Sequence, residues 1–151
     1  GFCGETDEEH RDTLSMMEYV GYDYGFMYAY SERPGTLAAK RMKDDVPQSI
    51  KKQRLNEIIN LQRKLSSNNT KTYLKKTIEV LIEGTSKKSQ EHWMGRNSQN
   101  YVTIFPKNGE KIGDYVLVKV EECTSATLIG TKIGTAQDVP FVTNTTEKTA
   151  S

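Results

Sequence analysis

The stretch "TIEVLIEG", residues 77–84, decides the fold, because its apolar side chains alternate with others along the chain. This period of two places Ile78, Val80 and Ile82 on one face of a β-strand. The stretch "DYVLVKVEEC", residues 114–123, repeats the pattern, with an Asn-Gly turn signal a few residues before it. Three more short strands are predicted in "EHWMGR" (91–96), "YVTIF" (101–105) and "ATLIGTKI" (126–133). Five strands over residues 70–134 predict a small antiparallel barrel of the OB type.

A long helix is predicted immediately before this barrel, over residues 47–69. Pro47 suits the start of a helix, and the Ser66 to Asn69 stretch suits its end. Its apolar face is predicted to consist of Leu55, Ile58, Ile59, Leu61 and Leu65, with Gln62 beside them. The remaining surface carries the bases Lys51, Lys52, Arg54, Arg63 and Lys64. Two interpretations stay open: the bases approach a polyanion, or they form the solvated face of a linker helix.

The first 46 residues are typical of a piece of an α/β architecture. Thr6 and Glu9 form a capping box that starts a helix, and Gly21 ends it. Aromatic residues then alternate in "YGFMYAY" (24–30), which predicts a strand before the turn "SERPGT" (31–36). One strand leaves both of its edges unpaired. We therefore expect it to complete a sheet whose other strands lie outside this chain, with docking on another partner as the alternative.

The composition favours a cytoplasmic protein. Of 151 residues, 35% are hydrophobic and 27% are charged, and no apolar run approaches the roughly 20 residues that cross a bilayer. Cys3 and Cys123 lie far apart and predict free thiols in a reducing compartment. Seven acids and one base in residues 1–24 contrast with nine bases and four acids in residues 25–67. The polar residues 135–151 predict a disordered tail.

The barrel sequence also suggests a nucleic-acid interface. Basic side chains hold phosphates, and aromatic rings stack on unpaired bases. Both types are interleaved in the strand and turn regions, so we predict an RNA-binding set of Lys87, Lys88, Trp93, Arg96, Tyr101 and Lys107, with Lys111 nearby. Phe105 lies in an alternating strand, where core packing is favoured over stacking. The isolated His10 and His92 predict no metal site.

Four stretches together resemble one enzyme family. These are "GFCGET", "YSERPGT", "DDVPQSIKKQRLNEIINLQ" and "SKKSQEHWMGRNSQNYVTIFP". In order and spacing they resemble the C-terminal part of the methylthiotransferases, which are radical S-adenosylmethionine enzymes, over roughly residues 1–133. The stretches "YGFMYAYSERPGT" and "SKKSQEHWMGR" are most similar to the MiaB type, which acts on tRNA. Relatives modify threonylcarbamoyl-adenosine in tRNA or a ribosomal protein.

The resemblance implies a fold class of α/β plus all-β. Residues 1–46 would be the C-terminal end of a partial radical-SAM (β/α) barrel, residues 47–69 a linker helix, and residues 70–134 a TRAM barrel that binds the tRNA anticodon stem-loop. The implied reaction adds a methylthio group to C2 of N6-dimethylallyladenosine, with S-adenosylmethionine and two 4Fe–4S clusters. The cluster cysteines belong to preceding domains of the protein, so the chain alone is expected to be inactive. Neither a membrane nor DNA is an expected partner.

The resemblance also implies a cofactor-binding region near Phe2, Gly4 and Arg33, close to S-adenosylmethionine. Two positions depart from the family pattern: Cys3 and Glu32 stand where proline is common. We predict that Cys3 is a small apolar thiol packed in the turn and not a cluster ligand. The alternative function is a free-standing RNA-binding barrel, for which residues 1–67 serve as a docking arm.

Overall fold

The computed structural model describes residues 1–135, which divide into two compact units. The helical unit comprises residues 1–72 together with 123–126, and the barrel unit comprises residues 73–122 and the strand that begins at Thr127. The predicted disordered tail, residues 135–151, lies outside the described residues except for Thr135, which ends the last strand.

The barrel unit confirms the five predicted strands. They are β1 (Thr77–Thr85), β2 (His92–Arg96), β3 (Val102–Pro106), β4 (Tyr115–Cys123) and β5 (Thr127–Thr135). They close in the order β1-β2-β3-β5-β4. The prediction of a wholly antiparallel barrel is wrong at one pair, because β3 and β5 run parallel. Strands that alternate in direction cannot close a ring of five, since five is odd, so at least one neighbouring pair must be parallel.

The barrel core follows the predicted alternation. The Phe105 side chain of β3 and five inward-facing residues of β1 and β4 are no more than 1% exposed; the five are Val80, Ile82, Val116, Val118 and Val120. Ile78, on the same face of β1, is partly buried. Phe105 therefore fills the core, as predicted. Gly95 on β2 and Gly130 on β5 lie so close to the neighbouring strand that a Cβ atom would collide with its backbone carbonyl. These two glycines allow the strands to approach one another.

The helical unit contains α1 (Asp7–Val20), α2 (Leu37–Arg41) and α3 (Gln48–Lys71). The capping box of α1 is confirmed: the Glu9 amide donates to Thr6 Oγ1, and the Thr6 amide donates to Glu9 Oε2. Gly21 ends α1 with φ of 66°. The short α2 follows the predicted Pro-Gly turn and was not expected, and α3 runs two residues beyond its predicted end. Within residues 1–135, no helix combines the length and apolarity needed to span a membrane.

The predicted strand at residues 24–30 does not form. This segment has no regular secondary structure, and the side chains of Phe26 and Tyr28 are each 83% exposed. A strand is stable only when its backbone groups are paired with a neighbour. No strand in residues 1–135 supplies that neighbour, so the alternating pattern is left without the partner that would make it a strand.

The interior face of α3 is polar, which overturns the prediction for two of its bases. Lys51 and Arg54 are buried and not on a face open to a polyanion. Lys51 Nζ donates to both carboxylate oxygens of Asp44, at 2.5 and 2.6 Å. Arg54 donates to the carboxylates of Glu5 and Asp7, at 2.7 and 2.6 Å. These carboxylates compensate the buried charges, so the unit's interior can hold the two cations without leaving either one unpaired.

Candidate nucleic-acid interface

Four of the six predicted RNA-binding residues meet at one end of the barrel, where β1 and β3 end and β2 begins. We call this the Trp93 end, and it contains Lys87, Lys88, Trp93 and Lys107. Backbone bonds join its segments: the Ser86 amide donates to the His92 carbonyl, and the Lys107 amide donates to the Glu91 carbonyl, both at 2.9 Å. These four residues, which the sequence analysis grouped by residue type, therefore lie on neighbouring segments of the fold.

Lys87 and Lys88 lie on the exposed loop between β1 and β2. The buried Ser86 orders this loop, because its hydroxyl accepts a hydrogen bond from the Lys88 amide at 3.3 Å. Neither lysine ammonium makes a hydrogen bond or ion pair within the described residues. Two adjacent ammonium groups on an ordered loop present concentrated positive charge to solvent, which suits contact with phosphates.

Trp93 is half-buried and is held on several sides. Its ring packs against the barrel core, and its Nε1 donates to Glu110 Oε2 at 3.0 Å. The Lys107 ammonium lies over the ring, 4.3 Å from the ring centroid, within the range of a cation–π interaction. The same ammonium donates to Thr85 Oγ1 at 2.9 Å. In the free protein, the Trp93 ring is therefore partly covered and not openly exposed.

Glu110 anchors this cluster and was missed by sequence reasoning. Its side chain is 3% exposed, accepts from the Asn108 amide at 2.7 Å and pairs with Lys132 Nζ at 2.6 Å. Burial alone would raise the pKa of Glu110, but the hydrogen bonds from Lys132, Asn108 and Trp93 outweigh it and lower that pKa to about 2. Glu110 is therefore ionised at neutral pH, as a charge-assisted acceptor for the indole N–H.

Arg96 and Tyr101 lie at the opposite end of the barrel, where β2 ends and β3 begins. Arg96 donates to Glu83 at 3.2 Å and to the Asn100 carbonyl at 3.1 Å. The Tyr101 ring packs against Tyr73, with centroids 5.0 Å apart. The length of β2 separates the two ends by roughly 13 Å at the usual rise per strand residue. The six predicted residues therefore form two groups and not one continuous surface.

Tyr73 and Lys76 extend this second group, which sequence reasoning did not include. The Lys76 ammonium lies 5.8 Å from the centroid of the Tyr73 ring. The sequence did carry a signal, since "TYLKK" at residues 72–76 places an aromatic residue beside two lysines. The stretch lies between α3 and β1, outside the strands to which the predicted RNA-binding set was tied.

The helical unit brings together two of the three predicted cofactor-binding residues. Phe2 and Gly4 line a cavity of about 270 Å³, together with Cys3, Glu5, Glu9 and Thr13. Gly4 has φ of 77°, and its amide donates to Asp45 Oδ1 at 2.7 Å. Arg33 is exposed and is not among the residues that line this cavity. Cys3 is 8% exposed, which confirms a thiol packed in the turn.

The residues of this chain do not fit an iron–sulfur cluster. A 4Fe–4S cluster is held by several cysteine thiolates, and the sequence has two cysteines. In residues 1–135, no three His, Cys, Asp or Glu side chains are grouped so that they could hold a metal ion. Any cluster that works with this chain must be held by residues outside it.

Comparison with known proteins adds a domain match and a set of relatives. Residues 71–133 match the TRAM domain, which agrees with the five-stranded OB-like barrel. A protein of Christiangramia forsetii is 58% identical over 134 residues, which cover 89% of this chain and 28% of that protein. Proteins of Flavobacterium psychrophilum and Bacteroides fragilis are 53% identical over 134 residues and 50% identical over 133. Those matches cover 89% and 88% of this chain, and 28% and 29% of the relatives.

All three relatives are named tRNA-2-methylthio-N(6)-dimethylallyladenosine synthase. The matched region is their C-terminal part. The chain therefore spans about 28% of the length of the curated relatives it matches.

Proposed function

We propose that this chain is the C-terminal part of a tRNA methylthiotransferase that adds a methylthio group to C2 of N6-dimethylallyladenosine next to the anticodon. The observation that carries the proposal is the 58% identity over 134 residues to an enzyme named for this product. S-adenosylmethionine would supply the radical and methyl chemistry. The two iron–sulfur clusters would be held by cysteines outside this chain, since its own two do not suffice.

The barrel unit would bind the anticodon stem-loop of the tRNA. Lys87 and Lys88 support this role, since both ammonium groups are exposed on an ordered loop and make no ion pair within residues 1–135. Contacts between such cations and phosphates release counterions, so they give affinity without reading sequence. The choice of adenosine would therefore be made elsewhere in the enzyme, and the barrel would set how firmly and where the tRNA is held.

The helical unit would complete the catalytic domain. Residues 24–30 would pair with the edge of a sheet in the preceding part of the protein and close a partial radical-SAM barrel. The exposed aromatic side chains of this segment, and the absence of a partner strand in residues 1–135, support this assignment. Phe2 and Gly4, which line one cavity, would then lie near S-adenosylmethionine, with Arg33 close by.

The test is tRNA binding by the full-length protein with Lys87→Ala and Lys88→Ala together. We expect weaker binding and a plot of log affinity against log salt that is shallower by about 1.4–1.8, the value for two lost phosphate contacts. The matched control is Lys40→Ala with Lys43→Ala, which removes the same charge from exposed positions of the helical unit. Unchanged affinity and an unchanged salt slope in the Lys87/Lys88 variant would contradict the proposed contact of these two lysines with tRNA phosphates.

A free-standing RNA-binding module is the second candidate. The observation in its favour is that the barrel closes on itself around its own apolar core. The two candidates differ in turnover: we expect the full-length protein, with reconstituted clusters, to form the 2-methylthio product on tRNA. A full-length protein that binds the anticodon stem-loop tightly and forms no such product would favour the binding module.

A further inference from the structure

We propose that Trp93 is a base-stacking platform that Glu110 holds in position and that the Lys107 ammonium covers until RNA binds. This inference rests on the proposed RNA binding. It adds a stacking contact between a base and the Trp93 ring, in which the base replaces the Lys107 ammonium. The cluster behind it lies within the barrel unit and consists of Thr85, Trp93, Lys107, Glu110 and Lys132.

Glu110 is a positioning residue because it fixes the ring from its edge. Its Oε2 accepts from the indole Nε1 at 3.0 Å and from the Asn108 amide at 2.7 Å. Its Oε1 accepts from Lys132 at 2.6 Å. The carboxylate is therefore held from two further directions and cannot rotate without losing these bonds. A ring whose orientation is fixed in advance loses less conformational freedom when a base stacks on it.

The Lys107 ammonium can be displaced from the Trp93 ring because few interactions hold it there. Its ammonium lies over the indole and donates to the Thr85 hydroxyl, and it forms no ion pair within residues 1–135. When a stem-loop approaches, a phosphate offers this ammonium a partner of opposite charge. A base then takes its place on the ring, since every base presents a π-face that stacks on an aromatic side chain.

The charges around the ring favour this exchange. Lys87 and Lys88 lie on the exposed β1–β2 loop, and Lys111 is exposed on the segment between β3 and β4, so further cations lie on the segments that adjoin the cluster. The Glu110 carboxylate is nearly completely buried and is paired with Lys132, so it repels an incoming phosphate less than an exposed carboxylate would. The arrangement therefore attracts an anionic chain and presents an aromatic surface to the bases that the chain carries.

The experiment compares two ligands of equal charge: the anticodon stem-loop, and the same stem-loop with an abasic loop. We expect the full-length wild-type protein to bind the intact loop about tenfold more tightly. The Glu110→Gln variant should lose much of this preference, because its neutral amide is a weaker acceptor for the indole N–H and no longer forms the ion pair with Lys132. The control Glu79→Gln, at an exposed position of β1, should keep the preference.

A second measurement needs no variant of Glu110. Trp93 is the only tryptophan in this chain, so the chain carrying Lys107→Ala should show stronger acrylamide quenching of its emission than wild type. The intact loop should protect the indole from quenching, and the abasic loop should not. Equal binding of the two loops, with unchanged quenching, would overturn the platform while Lys87 and Lys88 still supported the proposed function. Failure to bind either loop would overturn both proposals.

Discussion

The interiors of the two units are built mainly from different kinds of side chain. The barrel interior is a set of valine, isoleucine, leucine and phenylalanine side chains with almost no exposure, whereas the buried face of α3 carries Lys51, Arg54, Gln62, Ser66 and Thr70. Several aromatic side chains of the helical unit are highly exposed: Tyr19 is 92% exposed, and Phe26 and Tyr28 are each 83% exposed.

The two units are therefore stabilised in different ways. Apolar burial stabilises the barrel without reference to any particular partner atom. The helical unit instead depends on matched polar pairs, for example Gln62 Nε2 donating to the Tyr22 carbonyl at 2.7 Å and Ser66 donating to the Asp23 carbonyl at 2.6 Å. Such bonds fix the path of the chain but contribute little net stability each. The proposed pairing of residues 24–30 with a preceding sheet would cover the exposed aromatic side chains of this segment.

The largest expected effect is on the barrel. Phe105→Ala removes a completely buried ring and should lower the free energy of unfolding by about 4 kcal/mol. Urea unfolding followed by Trp93 fluorescence reports this directly, because that residue belongs to the barrel unit. Tyr115→Ala, at a position 52% exposed on β4, is the control and should cost much less. A Phe105→Ala loss below about 1 kcal/mol would mean that the barrel interior is not the source of its stability.

In the helical unit, Lys51→Met keeps most of the side-chain volume but leaves Asp44 without its buried partner. We expect a loss of about 3 kcal/mol, the lower end for a broken buried pair, because the Asp44 side chain is 25% exposed. Far-ultraviolet circular dichroism during urea unfolding measures it. The double variant Lys51→Met with Asp44→Leu should recover much of the loss. The control Lys52→Met, at an exposed position, should have little effect.

Acid should weaken the barrel through Glu110. Its pKa is about 2 in the folded state, below the ordinary value of 4.5, so its contribution to stability is present above pH 4.5 and is lost as the pH falls towards 2. Allowing for solvent screening, we expect a loss on the order of 1 kcal/mol between pH 6 and pH 3. Urea midpoints read from Trp93 fluorescence at the two pH values test this. Glu110→Gln should flatten this part of the pH dependence, and an equally steep profile would contradict the assignment.

The smallest effect is expected at the start of α1. Thr6→Ala removes the side-chain half of the capping box and should cost about 0.5–1 kcal/mol. Thermal unfolding followed by the helical signal in far-ultraviolet circular dichroism measures this loss of stability. Ser15→Ala is a suitable control, since the Ser15 hydroxyl bonds back to the Arg11 carbonyl within α1 and alanine is a better helix former. Equal losses in both variants would show that the cap has no special role.

Local patterns predicted the local structure well. The period of two located all five strands, and the capping box, Gly21 and Pro47 located the ends of helices. The errors arose where a partner distant in sequence decides the outcome. Lys51 is buried because Asp44 compensates its charge, and helical periodicity carries no information about that pairing. Residues 24–30 have the alternation of a strand, but alternation cannot provide the neighbour that a strand requires.

In the candidate interface, too, features set by local sequence were predictable and those set by distant partners were not. The exposure of Lys87 and Lys88 was predictable because both lie in a turn between two predicted strands. Glu110 was missed because its importance comes from contacts with Trp93 and Lys132, which are 17 and 22 residues away in the chain. The separation of Arg96 and Tyr101 from the Trp93 end became visible only once the direction of β2 was known.

The parallel pairing of β3 with β5 has a consequence for biosynthesis. β3 has β2 on one side, and its other edge stays open until the chain has passed through β4 and returned as β5. During translation the barrel therefore cannot close until Ile129, which pairs with Ile104 of β3, has left the ribosome. Nascent chains that stall before this point expose an unpaired strand edge, which is a template for aggregation.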